Sequence, residues 1–150
     1  MFDGLGRDVR GERQADTVGK VFITTARTPA PAEVEGIEPY ADVPWLGEYF
    51  FLYADIRRLA EETGELIDPQ KDAFFAGLAL DALERFLHVN RARTLSQPES
   101  WQQRVGRRHP SGEVAFCQAS RDRIIAFLDG VQNAVEAARA QQKGVFFYGE

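Results

Sequence analysis

The segment from Asp68 to Ala92 constrains the fold most, because its pattern predicts one long buried helix. Asp68 is of a residue type that caps helices, and Pro69 fits the first helical turn, where no amide proton is needed. Apolar side chains then cover most of the helix circumference. The polar exceptions fall at i, i+3, i+4 and i+7, which is a single stripe: Asp81, Glu84, Arg85 and His88. We therefore expect a core helix over 68–92 with one edge in water.

Two more helices are predicted. Residues 45–63 carry apolar side chains at helical spacing, and Gly64 suits the left-handed conformation that ends many helices. A long last helix is predicted over 120–142, because Ser120 can cap it and aliphatic side chains then recur every three or four residues. The link between the first two helices is short, so these helices are expected to pack as an antiparallel hairpin.

The segments that predict strands are shorter than those that predict helices. β-Branched and aromatic residues predict a strand over 18–27, and the apolar tail predicts a closing strand over 145–148. Residues 113–117 fit either a third strand of the same sheet or the start of the last helix. Trp101 and Val105 form an i, i+4 apolar pair, which predicts a short amphipathic turn or helix.

Length and composition bound the architecture. A chain of 150 residues, 44% of them hydrophobic, suits one domain with a substantial core. Residues 1–17 are polar and lack a period, so we expect a flexible N-terminal arm, followed by a single globular domain over 18–150. The predicted fold class is α+β and α-dominated: an antiparallel helix hairpin plus a long C-terminal helix, packed with a small β-sheet. The residues expected to be most buried are Leu52, Ile56, Phe75, Leu78, Phe86, Ile124, Leu128 and Val131.

Charge and cysteine content narrow the function classes. The formal net charge of -5 argues against general binding to phosphate backbones, which needs a surplus of Lys and Arg. Cys117 is the single cysteine, so no intrachain disulfide forms and a reducing compartment is expected. The chain has neither a signal-like segment nor an apolar run of membrane length. It is therefore expected to be cytoplasmic, with no membrane partner.

The polar stripe of the 68–92 helix is one candidate for chemistry. Glu84 and His88 stand at i, i+4, from which both can ligate one metal ion, and Asp81 lies one turn earlier. No second helix supplies a matching motif, so the favoured interpretation is a solvated face. No catalytic residue, metal site or cofactor is predicted. The alternative is a small helical metal-dependent enzyme or ligand-binding protein that uses this stripe.

A basic cluster follows Trp101 and supports a second alternative. Its members are Arg104, Arg107, Arg108 and His109. Arginine side chains near an aromatic ring are suited to binding a nucleic acid, so residues 101–109 predict a nucleic-acid-associated regulator. In an acidic protein, however, such a cluster is expected to be solvated or locally ion-paired, which makes a nucleic-acid partner the less favoured prediction.

An acidic segment with several prolines carries the leading functional prediction. Tyr40 and Trp45 are amphipathic side chains of the kind found at protein interfaces, and the carboxylates around them can steer a basic partner. The opposing interpretation is that both rings tuck under the loop and cap the core. The large number of aromatic residues also fits a homodimer interface. The candidate partner-binding residues are Glu33, Glu35, Glu38, Tyr40, Asp42, Trp45 and Glu48.

In its small size, its acidity, its lack of catalytic motifs and its acidic surface with proline and aromatic residues, the chain is similar in general character to bacterial toxin-neutralising immunity proteins. This similarity implies a soluble, non-enzymatic domain that binds a protein partner with a basic surface and masks or neutralises it. The carboxylates between Glu33 and Glu48 are then expected to engage basic groups of the partner, while Tyr40 and Trp45 supply buried contact area.

Overall fold

The computed structural model describes residues 19–149, and three helices and six strands lie in that range. In chain order they are β1 (Lys20–Thr24), β2 (Ala41–Asp42), α1 (Gly47–Thr63), β3 (Ala73–Phe75), α2 (Leu78–Leu95), β4 (Ser100–Arg107), β5 (Val114–Ser120), α3 (Arg121–Gln141) and β6 (Gly144–Tyr148). A short 3-10 helix, Pro31–Glu33, lies between β1 and β2. The predicted α+β class is confirmed, whereas the predicted arm over 1–17 lies outside the described residues.

Four antiparallel strands form the main sheet in the order β2-β1-β6-β3, with β1 and β6 at its centre. Val21 pairs with Phe147, and Phe147 pairs with Ala73, so these three side chains share one face of the sheet. All three are buried in the main core. The strands predicted over 18–27 and 145–148 are therefore present as β1 and β6, and they pair with each other.

The main core lies between that face of the sheet and the three helices. α3 contacts both other helices and the strands β1, β2 and β6, so it is the central element. Seven of the eight predicted core residues are buried: Leu52, Ile56, Phe75, Phe86, Ile124, Leu128 and Val131. Leu78 is the exception, with 86% of its surface exposed. The prediction fails there because α2 begins at this residue and its first position faces solvent.

The predicted helix over 68–92 is wrong in its first part. Asp68 accepts a hydrogen bond from the amide of Gln70 at 2.8 Å, which closes a turn and does not cap a helix. The next residues form β3, because pairing with β6 buries Ala73 and Phe75. α2 starts only after Gly77, so the connection from α1 contains a strand. The prediction of a short link between the first two helices is therefore wrong as well.

The region around Trp101 is a strand and not the predicted short turn or helix. β4 pairs with β5 in a separate two-stranded sheet. Positions 101, 103 and 105 are half-buried, and their neighbours at 100, 102 and 104 are exposed, which is the period of a strand. An i, i+4 apolar pair fits both periods, so strand pairing decides the outcome. Of residues 113–117, those from Val114 onward are also strand, but they pair with β4 and do not join the main sheet.

The helix ends follow local residue chemistry. Gly64 ends α1 with a φ of 80°, in the left-handed region, as predicted. The Ser120 side chain accepts a hydrogen bond from the amide of Arg123 at 3.3 Å and so caps α3, also as predicted. α1 begins at Gly47, slightly later than the predicted residue 45. Each of these signals acts within one helical turn, so it can be recognised from the sequence.

Candidate functional site

Exposed apolar side chains concentrate in one short segment of the described chain. Ile37, Tyr40, Trp45 and Leu46 are each between 37% and 48% exposed, and all four lie within residues 37–46. Exposed carboxylates stand among them. We call this region the 35–46 surface and define it by Glu35, Ile37, Glu38, Tyr40, Asp42, Trp45 and Leu46. It combines exposed apolar side chains with negative charge.

The backbone of the 35–46 surface is held in place, although it contains little regular structure. The amide of Tyr40 donates to the carbonyl of Val21, and the amide of Val43 donates to the carbonyl of Gly19, both at 2.8 Å. Gly130 of α3 packs against the carbonyl of Tyr40 so closely that a Cβ atom at Gly130 would collide with it. The sheet and α3 therefore fix this segment from two sides, and its side chains are presented from a preformed backbone.

Trp45 is anchored on one side by an aromatic row at the start of α1. Its ring centroid lies 5.4 Å from that of Tyr49 and 6.2 Å from that of Phe50. Tyr49 is buried, and its hydroxyl donates to the carbonyl of Ile67 at 2.8 Å. Burial raises the pKa of the Tyr49 phenol, so this hydroxyl stays protonated and keeps its bond. Trp45 thus packs against a fixed support while part of its ring faces solvent.

Leu46 has an unusual backbone conformation for a leucine. It is the N-cap of α1, with φ 54° and ψ -115°. A bulky residue with positive φ costs roughly 1–3 kcal/mol and persists only where the surroundings impose it. The constraint is visible at the next residue, because Gly47 abuts the carbonyl of Gln118 and has no room for a side chain. Sequence reasoning missed Leu46, since leucine carries no signal for this conformation.

Glu33, one of the predicted partner-binding residues, is half-buried. Its carboxylate accepts hydrogen bonds from the amide and the hydroxyl of Thr25, at 3.0 and 2.8 Å, and from the amide of Ala30 at 3.3 Å. Lys143 lies 3.6 Å away. The hydrogen bond from the Thr25 hydroxyl is the main cause that lowers the pKa of Glu33 below its ordinary value. Glu33 therefore fastens the loop after β1 to the end of the sheet.

Glu48, a second predicted partner-binding residue, is buried. Only 5% of its surface is exposed, and its carboxylate accepts a hydrogen bond from the amide of Ser120 at 2.8 Å. The expectation that its carboxylate faces outward is wrong, because the start of α1 packs against the junction of β5 and α3. Glu48 ties these elements together. The remaining predicted residues, Glu35, Glu38, Tyr40, Asp42 and Trp45, are exposed at the surface.

The polar stripe on α2 faces a cation supplied by the protein itself. Arg139 of α3 lies 2.8 Å from the carboxylate of Asp81 and 3.2 Å from that of Glu84. Glu84 also accepts a hydrogen bond from the side-chain amide of Gln132 at 2.9 Å, and His88 is exposed beside them. Between residues 19 and 149, no group of three or more His, Cys, Asp or Glu side chains is arranged to hold a metal ion. The stripe is thus an inter-helix ion-pair site.

The basic cluster lies on the β4–β5 hairpin. Within the described part of the chain, Arg104, Arg107 and Arg108 form no ion pair with a carboxylate. Phe116 of β5 is directly opposite Arg104 and is 52% exposed. Trp101, in contrast, packs against Phe51 of α1, with ring centroids 5.0 Å apart. The hairpin therefore presents three arginines that have no ion pair among residues 19–149, although Arg107 donates to the carbonyl of Gly112 at 2.9 Å, and it presents one exposed ring.

No protein-family model, curated protein or solved structure matches the chain. None of the helices in the described range is both long enough and apolar enough to cross a membrane.

Proposed function

We propose that this chain is a cytoplasmic, non-enzymatic protein-binding domain that masks or neutralises a partner with a basic surface. One observation carries the proposal: four partly exposed large apolar side chains lie within ten consecutive residues, 37–46, and exposed carboxylates stand among them. Isolated exposed hydrophobic residues are ordinary, whereas a cluster of them is a mark of an interaction site. The 35–46 surface is that cluster.

The two kinds of side chain have separate roles in this proposal. Trp45 and Tyr40 supply contact area at the centre, where aromatic residues contribute most to affinity. The exposed carboxylates of Glu35, Glu38 and Asp42, the last of which also pairs with Lys20 at 3.1 Å, attract basic groups of the partner. This attraction raises the association rate at low salt. The backbone of the segment is already fixed by Val21, Gly19 and α3. Little conformational entropy is then lost on binding. This mode of action is similar in character to that of immunity proteins that cover a toxin.

The proposal is tested by comparing the tagged full chain with charge-reversed variants in affinity capture from a native lysate. Glu35→Lys with Glu38→Lys reverses two exposed carboxylates of the surface. Glu61→Lys with Glu99→Lys is the matched control, because it reverses two exposed carboxylates elsewhere. A stoichiometric partner should be lost from the first variant, retained by the control, and bound less by the wild type at high salt.

A second variant tests the apolar contribution. Trp45→Ala removes the exposed ring and should weaken partner binding by at least about tenfold, since aromatic hot spots contribute roughly 2 kcal/mol or more. Circular dichroism establishes that the variant is folded. A partner that binds Trp45→Ala and the Glu35/Glu38 variant as tightly as the wild type would overturn the proposal.

A further inference from the structure

One face of the β4–β5 hairpin packs on the core, and the opposite face lies in solvent. On the packed face, the ring of Trp101 lies 5.0 Å from that of Phe51, and Ala119, directly opposite Trp101, is buried. Successive side chains of a strand point to opposite faces, so Arg104 and Phe116, which are also directly opposite each other, belong to the solvent-facing side. Both are exposed. We call this side the outer face of the hairpin.

A β-bulge brings a second arginine to the outer face. The pairing passes from Arg104 directly to Gly106, so Val105 is an extra residue in β4. Positions 105 and 106 are both half-buried, whereas positions 104 and 107 are both exposed. Without the extra residue, strand alternation would put Arg107, three residues after Arg104, on the packed face. The bulge reverses this, so both arginines lie on the outer face.

The outer face carries positive charge. Its paired residues are Gln102 with Gln118, Arg104 with Phe116, and Arg107 with Val114, and none of these six is acidic. Neither arginine forms an ion pair with a carboxylate between residues 19 and 149. Arg107 donates one of its five N–H groups to the carbonyl of Gly112. Most of the guanidinium donors on this face are therefore left for a ligand.

The remaining charges of the hairpin belong to its other side. Glu113 is the only acidic residue from 100 to 120. Its carbonyl accepts a hydrogen bond from the amide of Arg108 at 2.7 Å, one position beyond the pair formed by Arg107 and Val114. Alternation then directs Glu113 and Arg108 away from the outer face. Burial raises the pKa of the Cys117 thiol and the charge of Arg108 partly opposes this, in agreement with Arg108 on the packed side.

The outer face fits a ligand in which negative charges and flat rings alternate. Guanidinium groups bind phosphate oxygens, an exposed aromatic ring stacks on a base, and glutamine amides can bond to base edges. A single nucleic-acid strand offers a phosphate and an accessible base at every step. A duplex keeps its bases stacked on one another, and an acidic peptide supplies charge without a base to stack. The pairing of Arg104 with the 52% exposed Phe116 thus favours the single strand.

We propose that the outer face of the hairpin binds single-stranded nucleic acid, with Arg104 and Arg107 on its phosphates and Phe116 stacked on a base. The sequence pattern associates these arginines with Trp101, but that ring packs against Phe51 and Phe116 is the exposed ring. The site uses no residue of the 35–46 surface, so it adds a second partner to the proposed function. The net charge of -5 keeps the affinity modest.

The test is fluorescence anisotropy of a labelled single-stranded RNA of about twelve nucleotides, titrated with the full chain. The dissociation constant of the wild type should be roughly 1–100 µM at low salt. Two phosphate contacts predict a slope of log K against log salt of about -1.4, which is about sevenfold weaker binding at 200 mM than at 50 mM salt. The same titration with single-stranded DNA distinguishes the two kinds of strand, and binding of either supports the site.

Substitutions separate the outer face from the general charge of the hairpin. Arg104→Gln and Arg107→Gln should each reduce the slope to about -0.7, because one phosphate contact is lost. Phe116→Ala should weaken binding by at least about fivefold and leave the slope unchanged. Arg108→Gln is the matched control: it removes the same charge from the same hairpin but from the other side, so its slope should equal that of the wild type.

Three results would overturn the site. The first is a wild type that binds neither the RNA nor the DNA strand at low salt. The second is an Arg108→Gln variant whose affinity and slope fall as much as those of Arg107→Gln. The third is a duplex or a polyglutamate peptide that binds as tightly as the single strand, with no effect of Phe116→Ala. Partner capture by the 35–46 surface should be unchanged in Arg104→Gln and Phe116→Ala, so the proposed function is tested separately.

Discussion

Leu46 and Gly77 have nearly the same backbone conformation at equivalent positions, the N-caps of α1 and α2. Their φ and ψ angles are 54° and -115° for Leu46, and 59° and -128° for Gly77. Glycine adopts this conformation without steric cost, whereas leucine does not. The fold thus uses the unstrained residue at one helix start and a strained, 44% exposed leucine at the other. The difference is consistent with a binding role for the Leu46 side chain.

Leu46→Gly should leave the free energy of unfolding unchanged or raise it by up to about 1 kcal/mol, because relief of strain offsets the lost contacts and the added chain entropy. The same variant should weaken binding through the 35–46 surface. Leu95→Gly is the matched control: this leucine is also half-exposed but has helical dihedrals, so stability should fall by about 0.5–1 kcal/mol. Urea unfolding measures both, and an equal loss in the two variants would contradict the assignment of strain.

The strain can also be measured in the opposite direction at Gly77. A Cβ atom at Gly77 would meet no other atom within 4 Å, and Gly77 is exposed, so the Cβ atom of Gly77→Leu has room at the surface. Any loss of stability then reflects the backbone conformation and should be about 1–3 kcal/mol. Chemical denaturation of Gly77→Leu beside the wild type provides the value. A fully stable variant would show that this conformation imposes no cost on leucine in this protein.

Glu48 should matter for stability and not for partner contact. Glu48→Ala leaves the partly buried amide of Ser120 without this acceptor and should lower the free energy of unfolding by about 1–3 kcal/mol. Glu48→Gln keeps a side-chain oxygen and should lose less. Glu35→Ala, at an exposed carboxylate without an ion pair in the described chain, should change stability by less than about 0.5 kcal/mol. Equal stabilities of the Glu48→Ala and Glu35→Ala variants, measured by urea unfolding, would contradict the structural role of Glu48.

Arg93 joins α2 to α1 through contacts that lysine cannot reproduce. Its guanidinium carbon lies 3.9 Å from the centre of the Phe51 ring, and its nitrogens donate to the carbonyl of Phe51 and to the side chain of Asn90, at 2.9 and 2.8 Å. Arg93→Lys should therefore lower stability by about 1 kcal/mol. Arg91→Lys is the control, because Arg91 makes an exposed ion pair with Asp129 and its replacement should cost about 0.5 kcal/mol or less. Thermal unfolding of both variants distinguishes these contributions.

The elements that could be predicted are those with local causes. Ser120 caps α3 and Gly64 ends α1 because the chemistry of each residue acts on its own helical turn. Phe74 and Phe75 fit a helix as well as a strand, and only the pairing of Phe75 with Val145 decides between them. That pairing joins residues far apart in the chain, so a local period does not reveal it.

The composition of the candidate site could be predicted from the sequence, but the exposure of each side chain could not. Acidic and aromatic residues between 33 and 48 are visible in the sequence, and five of the seven predicted side chains are exposed. Glu48 is buried where its carboxylate accepts a hydrogen bond from the amide of Ser120. Glu33 is hydrogen-bonded to Thr25 and lies 3.6 Å from Lys143 at the end of the sheet. Each outcome depends on a neighbour that the fold brings from elsewhere in the chain.

The hydrogen bonds of Glu33 give stability a specific dependence on pH. Its pKa in the folded protein lies below its ordinary value of 4.5, chiefly because the Thr25 hydroxyl donates to the carboxylate. The unfolded chain therefore takes up a proton first as pH falls, so the contribution of Glu33 is complete above the unfolded pKa and is lost as pH drops through the folded pKa. Glu33→Gln removes the titrating group while keeping the shape of the side chain.

The wild type should therefore lose stability more steeply than Glu33→Gln as the pH is lowered below about 4.5, and the two curves should run parallel above it. Urea unfolding at a series of pH values from neutral to strongly acidic measures both curves. Glu61→Gln is the matched control, because Glu61 is an exposed carboxylate near the end of α1, and its curve should follow that of the wild type. Parallel curves for the wild type and Glu33→Gln over the whole range would show that the bonds to Thr25 do not favour the ionised carboxylate.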